Sequence, residues 1–189
     1  MIANPESVWL DKARRGDEDA FAHLVEVYQR PVFNLCYRMT GDPLEAEDAA
    51  QETFLRAYQN MQRYDPQRSF ITWLLSIAAH YCIDQIRRRR ALLTPLDALP
   101  EETLPDSDPG PEKLASRKEE QRLIKSILDQ LGPQDRAAVV LRYWYDFSDE
   151  EIGQSLSLTV SAVKSRLHRA RREMAKLWME KQPQPAPIL

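Results

Sequence analysis

The side chains with the greatest capacity to bind a ligand are the cations near the C-terminus. Lys164, Arg166, Arg169 and Arg171 recur every few residues behind Thr159, and residues 159–181 carry seven basic and two acidic side chains. Cations at this spacing bind phosphate groups, while polar side chains among them can reach the edges of bases. This segment is therefore the first candidate for a nucleic-acid interface.

The local pattern predicts how these cations are held. Ser148 and Glu151 form a capping box that opens a short helix, and Thr159 caps a long final helix after a brief turn. That arrangement is typical of a helix-turn-helix. The alternative, a solvated basic face on an ordinary helical bundle, is disfavoured by the order of cap, turn and helix. The expected inward stripe is Val163, Leu167, Ala170, Met174 and Leu177; the expected outward residues are Ser161, Lys164, Ser165, His168 and Arg171, flanked by Arg166, Arg169 and Arg172.

The sequence lacks the residue patterns that a disulfide framework, a metal site or a membrane span would require. Cys36 and Cys82 both lie in apolar helical patterns, which indicates two buried thiols and no disulfide framework. The three histidines lie far apart without metal-ligand spacing, so we expect neither a metal nor a cofactor. No apolar run approaches the length of a bilayer span, and the N-terminus lacks a signal-peptide pattern, which predicts a cytoplasmic protein without membrane insertion.

Charge divides the chain into unlike parts. The formal net charge of −3 is the sum of −1 over residues 1–90, −5 over residues 91–115 and +3 over residues 116–189. The middle part is rich in proline and acid, so we expect an extended, flexible tether there. The predicted organisation is all-α: a three- to four-helix domain over 1–90, a linker over 91–115, a four-helix domain over 116–181 and a disordered tail over 182–189.

The first domain should contain helices with recognisable ends. We expect Pro31 to kink or break the first of them. Asp42 should cap the second helix, with Pro43 in its first turn and Glu45 completing a capping box. Ser69 should cap the third, which ends at Arg87-Arg88-Arg89-Arg90. Its expected apolar stripe is Phe70, Trp73, Leu74, Ile77, Ala78, Tyr81, Cys82 and Ile86.

Two sets of residues, in this order, resemble bacterial sigma factors of the extracytoplasmic-function type. Residues 155–172, read with Ser148-Asp-Glu-Glu-Ile-Gly upstream, are similar to region 4 of that family. Asp48-Ala-Ala-Gln-Glu-Thr-Phe-Leu-Arg-Ala-Tyr and Phe70-Ile-Thr-Trp-Leu-Leu-Ser-Ile-Ala-Ala-His are similar to region 2. The resemblance implies a dissociable subunit of RNA polymerase that selects promoters, helps to open the duplex and has no active site. It also implies an anti-sigma partner.

Region 2 of the family implies two binding surfaces in the N-terminal domain. Asp48, Gln51 and Glu52 would face the polymerase. The loop before the third helix would hold a flipped base of the −10 element, through Arg63, Tyr64, Asp65, Gln67, Arg68 and Ser69. His80, where family members often carry Asn, can hydrogen-bond a base or a phosphate with a different reach. Arg87 and Arg88, with the two arginines that follow, are expected to contact phosphates, although four cations also suit the C-terminus of a helix electrostatically.

Region 4 of the family implies that the final helix reads the −35 element. Lys164, Ser165, His168 and Arg169 are the expected base readers, with Ser161 beside them, and Arg166 and Arg171 are the expected phosphate contacts. The competing hypothesis is a stand-alone helix-turn-helix regulator. Such regulators usually dimerise to read paired half-sites, whereas no dimerisation helix is evident in this sequence, which predicts a monomer.

Overall fold

A computed structural model describes residues 5–92 and 111–181 of the 189-residue chain. In those ranges the chain is helical and contains no strand. The four helices of the N-terminal half are α1 (Pro5–Arg14), α2 (Glu18–Thr40), α3 (Pro43–Asn60) and α4 (Phe70–Leu92), with a 3₁₀ turn at Met61–Arg63; the four of the C-terminal half are α5 (Pro111–Leu128), α6 (Pro133–Tyr145), α7 (Asp149–Leu156) and α8 (Val160–Lys181). The predicted all-α class with two helical domains is confirmed.

The N-terminal half is ordered by local capping. Asp17 accepts a hydrogen bond from the Ala20 backbone N–H at 2.9 Å and starts α2. The helix ends at Gly41, whose φ of 78° lies in the left-handed region that glycine tolerates. Asp42 then caps α3 by accepting from the Glu45 N–H at 2.9 Å, as predicted. The Glu45 carboxylate binds Arg89 at 2.8 Å, so no reciprocal bond of a capping box is seen.

Proline does not break α2, because one helix runs from Glu18 to Thr40 with Pro31 inside it; of the predicted kink or break, the break is wrong. A proline inside a helix costs about 3 kcal/mol, since it removes a backbone donor and crowds the preceding turn. Leu24, Val32 and Leu35 lie on either side of it and are fully buried. Each such side chain contributes about 1.5–3 kcal/mol on burial, which is enough to keep the helix continuous.

The predicted linker and tail fall largely outside the described residues, which exclude 93–110 and 182–189. At both edges, however, the predicted linker boundaries are wrong. Helix α4 runs on to Leu92, and α5 begins at Pro111, so residues 91–92 and 111–115 are helical. Proline is favourable in the first turn of a helix, where its missing N–H would have no partner. Pro111 therefore starts a helix and does not extend the linker.

The two halves pack against each other. Helix α4 contacts α2 and α3 on one side and α6 and α7 on the other, and α2 also contacts α6. Buried residues of both halves belong to one hydrophobic core. Among the described residues, four hydrogen bonds cross the junction. Arg136 donates to the Met39 carbonyl at 2.6 Å, Tyr145 donates to the Pro31 carbonyl at 2.6 Å, and Arg90 donates to the Asp129 and Leu131 carbonyls at 3.4 and 3.2 Å.

A cation and a close backbone approach add to this junction. The Arg38 guanidinium lies 5.0 Å from the centre of the Trp144 ring, within the range of a cation–π interaction. Gly41 approaches α5 so closely that a Cβ placed there would lie 2.8 Å from the Lys125 side chain. The end of α2 therefore fits against the second half through both polar and steric contacts.

Candidate nucleic-acid interface

The helix-turn-helix is built by the capping groups that the sequence predicts. Ser148 accepts from the Glu151 N–H at 3.1 Å, and Glu151 accepts from the Ser148 N–H at 2.8 Å, so the capping box of α7 is complete. The turn covers residues 157–159, and Thr159 accepts from the Ala162 N–H at 3.2 Å to start α8. These bonds fix the residues at which α7 and α8 begin, and the end of α7 at Leu156 then leaves a turn of three residues.

Glycine allows the turn to pack closely on α7. The Leu158 N–H donates to the Gly153 carbonyl at 2.8 Å. A Cβ at Gly153 would lie 2.8 Å from the Leu158 carbonyl oxygen, which is a backbone atom and cannot rotate away. Ser157 takes a φ of 55° at the end of α7, so the chain reverses within these few residues.

Helix α8 divides into a buried and an exposed face. Val163, Leu167, Ala170 and Leu177 are buried, and Met174 is half-buried, as the predicted inward stripe requires. The exposed side chains are Ser161, Lys164, Ser165, His168, Arg169, Arg171 and Arg172. The structure thus brings six of the seven predicted −35 residues to one solvent-facing surface at the start and middle of α8.

Arg166 is the seventh and lies differently. Its guanidinium donates to the Asp135 carboxylate at 2.6 Å, and its side chain is half-buried. Arg169 lies 3.9 Å from the same carboxylate. Because Asp135 stands in the first turn of α6, this pair ties α8 to the body of the domain. Part of the positive charge of α8 is therefore already neutralised within the protein.

The loop between the 3₁₀ turn and α4 is closed by hydrogen bonds of its own. The Arg68 N–H donates to the Asp65 carbonyl at 3.0 Å, and the Gln67 N–H donates to the Asp65 side chain at 3.0 Å. Arg63, Asp65, Gln67, Arg68 and Ser69 all have exposed side chains. The loop thus presents donors and an acceptor around a compact turn.

Tyr64 differs from the rest of this loop, because only 3% of it is exposed. Its hydroxyl donates to the Arg68 carbonyl at 2.5 Å, and its ring lies 5.4 Å from the Phe70 ring and 5.1 Å from the Trp73 ring. The expectation that Tyr64 offers an aromatic face to a base does not fit this placement, because protein groups cover both the ring and the hydroxyl. Trp73 is half-buried and packs against the core, as its helical phase predicts.

His80 is exposed on α4, and its ring is oriented by the helix. Nδ1 lies 2.9 Å from the Ser76 carbonyl oxygen, which can only accept. In the neutral ring Nδ1 therefore carries the proton, and Nε2 is left as an acceptor. The exposed edge of a neutral His80 ring therefore offers an acceptor and no donor.

The four arginines at the end of α4 fall into two pairs. Arg87 and Arg88 are exposed, and Arg87 lies 4.0 Å from the Asp84 carboxylate. Arg89 binds Glu45, and Arg90 donates to backbone carbonyls in the turn between α5 and α6. Arg89 and Arg90 are exposed as well but already bind protein groups, so the expectation that all four arginines contact phosphates stays a prediction.

The outer face of α3 contains the predicted polymerase-binding residues. Asp48 and Gln51 are exposed, and Glu52 is half-buried beside Arg56, which binds it at 2.7 Å. Large apolar side chains lie on the same face, a feature that sequence reasoning missed. Their spacing from Asp48 and Gln51 is helical and could have revealed them; they are Leu44, which is 73% exposed, Leu55, 51% exposed, and Tyr58, 40% exposed.

Comparison with known proteins identifies the family. Two family models match in order, Sigma-70 region 2 over residues 24–92 and Sigma-70, region 4 over residues 121–174. The ECF RNA polymerase sigma factor SigW of Bacillus subtilis is 36% identical over 174 residues, which cover 88% of this chain and 93% of the relative. The chain belongs to the extracytoplasmic-function sigma factors. It therefore directs RNA polymerase to promoters, and its two halves are region 2 and region 4.

Two further matches agree with this assignment. SigE of Mycolicibacterium smegmatis, also named as an ECF RNA polymerase sigma factor, is 37% identical over 164 residues, covering 84% of this sigma factor and 63% of the relative. The solved structure of CnrH in complex with the cytosolic domain of CnrY matches with a TM-score of 0.71 at 24% identity, covering 95% of this chain and all of that one. At this identity the structural match concerns the fold alone.

No helix in residues 5–92 or 111–181 has the length and apolarity to cross a bilayer. Within the described part of the sigma factor, no three His, Cys, Asp or Glu side chains are grouped so that they could hold a metal ion.

Proposed function

We propose that this sigma factor contacts the promoter at two places and the polymerase at a third. In this proposal α8 reads the −35 element, the loop over residues 63–69 with α4 holds the melted −10 element, and the outer face of α3 binds core RNA polymerase. The observation that carries the proposal is the pair of regions in one chain, each with its polar face exposed. The protein acts in the cytoplasm as a monomeric binding subunit without a reaction of its own.

The −35 assignment rests on exposure along α8. Lys164, Ser165 and His168 lie in the first turns after the capped start, where a recognition helix meets base edges. Arg169 stands beside them, while Arg171 is placed for phosphates. Arg166 contacts phosphate only if it shares its guanidinium with Asp135 or leaves it, so we assign it the lesser part in binding energy.

In the −10 assignment, some exposed side chains contact the flipped base and others bind the phosphates of the melted strand. Arg63, Asp65, Gln67, Arg68 and Ser69 form the rim of the pocket that takes the flipped base. His80 accepts a hydrogen bond through Nε2 when neutral. Arg87 and Arg88 hold phosphates of the melted strand.

The polymerase assignment combines charge and apolar surface. Asp48, Gln51 and Glu52 supply polar contacts, and Leu44 and Leu55 supply area that water covers in the free protein. Large apolar side chains beside charged ones on one exposed helix face are typical of a binding surface. The same surface is the proposed target of an anti-sigma protein. A structural neighbour at a TM-score of 0.66 and 21% identity is the sigma factor RpoE in complex with the anti-sigma factor NepR from Bartonella quintana.

The test mixes the purified chain with core RNA polymerase and a promoter library and maps the transcript starts. We expect a holoenzyme and initiation at promoters that share two elements. Lys164→Ala and His168→Ala should each cost about 1–3 kcal/mol and relax the preference at one −35 position. A uniform loss across all promoters would show that these side chains contact phosphates.

The stand-alone regulator is tested in the same material. A regulator would protect DNA from cleavage without polymerase and as a dimer, whereas the sigma factor requires the core enzyme for specific initiation. If the chain protects paired half-sites alone and no holoenzyme forms, the sigma-factor proposal fails.

A further inference from the structure

The −10 loop is anchored by one buried side chain. Tyr64 is covered, whereas its neighbours Arg63, Asp65 and Arg68 are exposed. Its hydroxyl bridges the loop by donating to the Arg68 carbonyl, four residues on. This bond closes the turn that Asp65 also stabilises through its carbonyl and side chain. The exposed polar groups of the rim are therefore positioned from inside the loop.

Beneath Tyr64 lies an aromatic stack that reaches α2. The Tyr64 ring meets the Phe70 ring at 86°, and Phe70 meets the Tyr28 ring edge-on at 5.3 Å between centroids. Edge-to-face pairs of this kind favour one orientation of each ring. A rotation of the Tyr28 ring would therefore displace the Phe70 ring, which in turn would displace the Tyr64 ring.

Helix α1 holds the lower end of this stack. It packs against α2 and against the 3₁₀ turn that leads into the loop. The Tyr28 hydroxyl donates to the Glu6 carboxylate at 2.5 Å, across 22 residues of sequence. Hydrogen bonds to a charged acceptor are stronger than neutral ones, contributing about 1.5–3 kcal/mol. Residues 5–14 lie before the stretch that matches region 2 of the family, which begins at residue 24.

Electrostatics keep both hydroxyl groups protonated. Burial raises the pKa of Tyr28, and the Glu6 carboxylate raises it further through its hydrogen bond and its charge. Burial also raises the pKa of Tyr64, again with a contribution from Glu6. The two phenols therefore stay protonated and remain hydrogen-bond donors at neutral pH.

We propose that Tyr64 is a positioning residue for −10 recognition and that Glu6 and Tyr28 on α1 and α2 hold it in place. In this role Tyr64 touches no base. It fixes the separation and direction of the exposed groups that do, and so it determines how sharply the pocket discriminates among bases. The inference rests on the proposed −10 function of the loop, and it extends that function to an N-terminal helix.

The first experiment uses Tyr64→Phe in the full chain, which removes one hydroxyl and leaves the ring. With core polymerase, open-complex formation is measured on promoters that differ at single −10 positions. Loss of one internal hydrogen bond should reduce discrimination between the best and the substituted bases by about 3- to 10-fold. Holoenzyme formation and −35 preference should stay within about twofold of the unchanged protein, because neither surface includes the loop.

A second layer of variants tests the path from α1. Tyr28→Phe and Glu6→Gln remove the hydroxyl or the charge beneath the stack and should move −10 discrimination in the same direction by a smaller factor. Tyr145→Phe, which removes a hydroxyl that binds the Pro31 carbonyl at the junction of the two halves, is the matched control and should leave −10 discrimination unchanged. If Tyr64→Phe lowers all promoters equally, or discriminates as well as the unchanged protein, the positioning role is refuted.

Hydrogen exchange of the free protein tests whether Tyr64 anchors the loop, and it does so without polymerase or promoter DNA. The Gln67 and Arg68 amides are bonded to Asp65 and should be protected. In Tyr64→Phe we expect their exchange to rise by about 3- to 10-fold, with the helices unchanged. If the chain forms no holoenzyme but these amides lose protection in Tyr64→Phe, Tyr64 does anchor the loop and the sigma-factor assignment is wrong. Unchanged exchange would refute the anchor whatever the polymerase result.

Discussion

Replacing Arg136 with methionine tests how the two halves of this sigma factor are held together. Arg136 belongs to α6, yet only 3% of it is exposed. Its Nη1 donates to the Met39 carbonyl of α2 at 2.6 Å and to the Asp129 carboxylate at 2.9 Å. The first bond crosses the junction between the halves, and the second lies within the C-terminal half. Methionine keeps an unbranched stem and removes both bonds.

The stability change expected for Arg136→Met is the difference between favourable hydrogen bonds and the cost of burying the guanidinium. A hydrogen bond that involves a charged group contributes about 1.5–3 kcal/mol, so the two bonds of Arg136 set a ceiling of roughly 3–6 kcal/mol. Burial of the guanidinium opposes this and lowers the pKa of Arg136, although Asp129 acts in the other direction. The buried Nε has no hydrogen-bond partner, a further cost of about 1–3 kcal/mol that methionine relieves. We therefore expect Arg136→Met to destabilise the closed arrangement by about 1–3 kcal/mol.

Two measurements check this value. Urea denaturation followed by tryptophan fluorescence reports the free energy of unfolding, and Trp144 in the junction makes the signal sensitive to separation of the halves. Small-angle scattering reports size, since a compact chain of this length has a radius of gyration of about 16 Å. Arg136→Met should lower the denaturation midpoint and raise the radius of gyration. Asp129→Asn, which leaves the bond to Met39 possible, should lower stability with a smaller change in size.

Each outcome bears on a different step of the reasoning. If Arg136→Met is as stable and as compact as the unchanged protein, the cost of burying the guanidinium cancels its hydrogen bonds, and the junction rests on apolar packing. If stability falls by the expected amount while the size stays constant, the loss lies within the C-terminal half and the bond to Met39 contributes nothing to closure. Either result would refute the assignment of Arg136 as a latch between the halves.

Three further expectations concern particular side chains. Gly153→Ala places a Cβ against the Leu158 carbonyl, so it should cost about 1–3 kcal/mol in unfolding free energy and weaken −35 binding in a gel-shift assay. Cys36 and Cys82 are buried, and the neighbouring thiol and burial raise the pKa of Cys36; neither should react with a thiol reagent until the protein is unfolded by urea. Burial raises the pKa of Tyr145, so the folded state holds that proton more tightly, and the unfolding free energy should fall as the pH rises above about 10; Tyr145→Phe should reduce that slope.

The parts of the fold that the sequence predicts are those set by neighbours in the chain. The capping box at Ser148 and Glu151, the cap at Asp42 and the cap at Thr159 need only the identity of a residue and of another three positions later. The buried stripe of α8 likewise follows from the helical spacing of its apolar residues. Such features are decided over one or two helical turns, so composition and spacing suffice to locate them.

The features that the sequence does not predict depend on contacts between distant segments. Tyr64 looks like any loop aromatic until Phe70 and Trp73 cover it. Pro31 looks like a helix breaker until core contacts on both sides outweigh its cost. The sequence around Arg90 does not show that this side chain donates to backbone carbonyls in the turn between α5 and α6. Each outcome depends on tertiary packing, which overrides the local preference.

Helix α4 shows how both kinds of information meet in one element. Besides the expected stripe, it buries Leu75, Ala79 and Ile83, a second row with a spacing of four. Arg90 lies eleven residues beyond Ala79 and seven beyond Ile83, so the three share a face of the helix. Because Arg90 binds the turn between α5 and α6, this second row marks the side of α4 that region 4 covers.

The side chains that are proposed to contact DNA stay exposed when the two halves pack together. His80 and Arg87 lie on another part of the α4 circumference and are exposed, as are Lys164 and His168 on α8. Packing of the two halves therefore leaves these residues accessible and fixes the distance between them. The 18 residues between Leu92 and Pro111 could span roughly 60 Å if extended. Closure thus restricts which spacings of −10 and −35 elements the protein can reach, and separation of the halves releases that restriction.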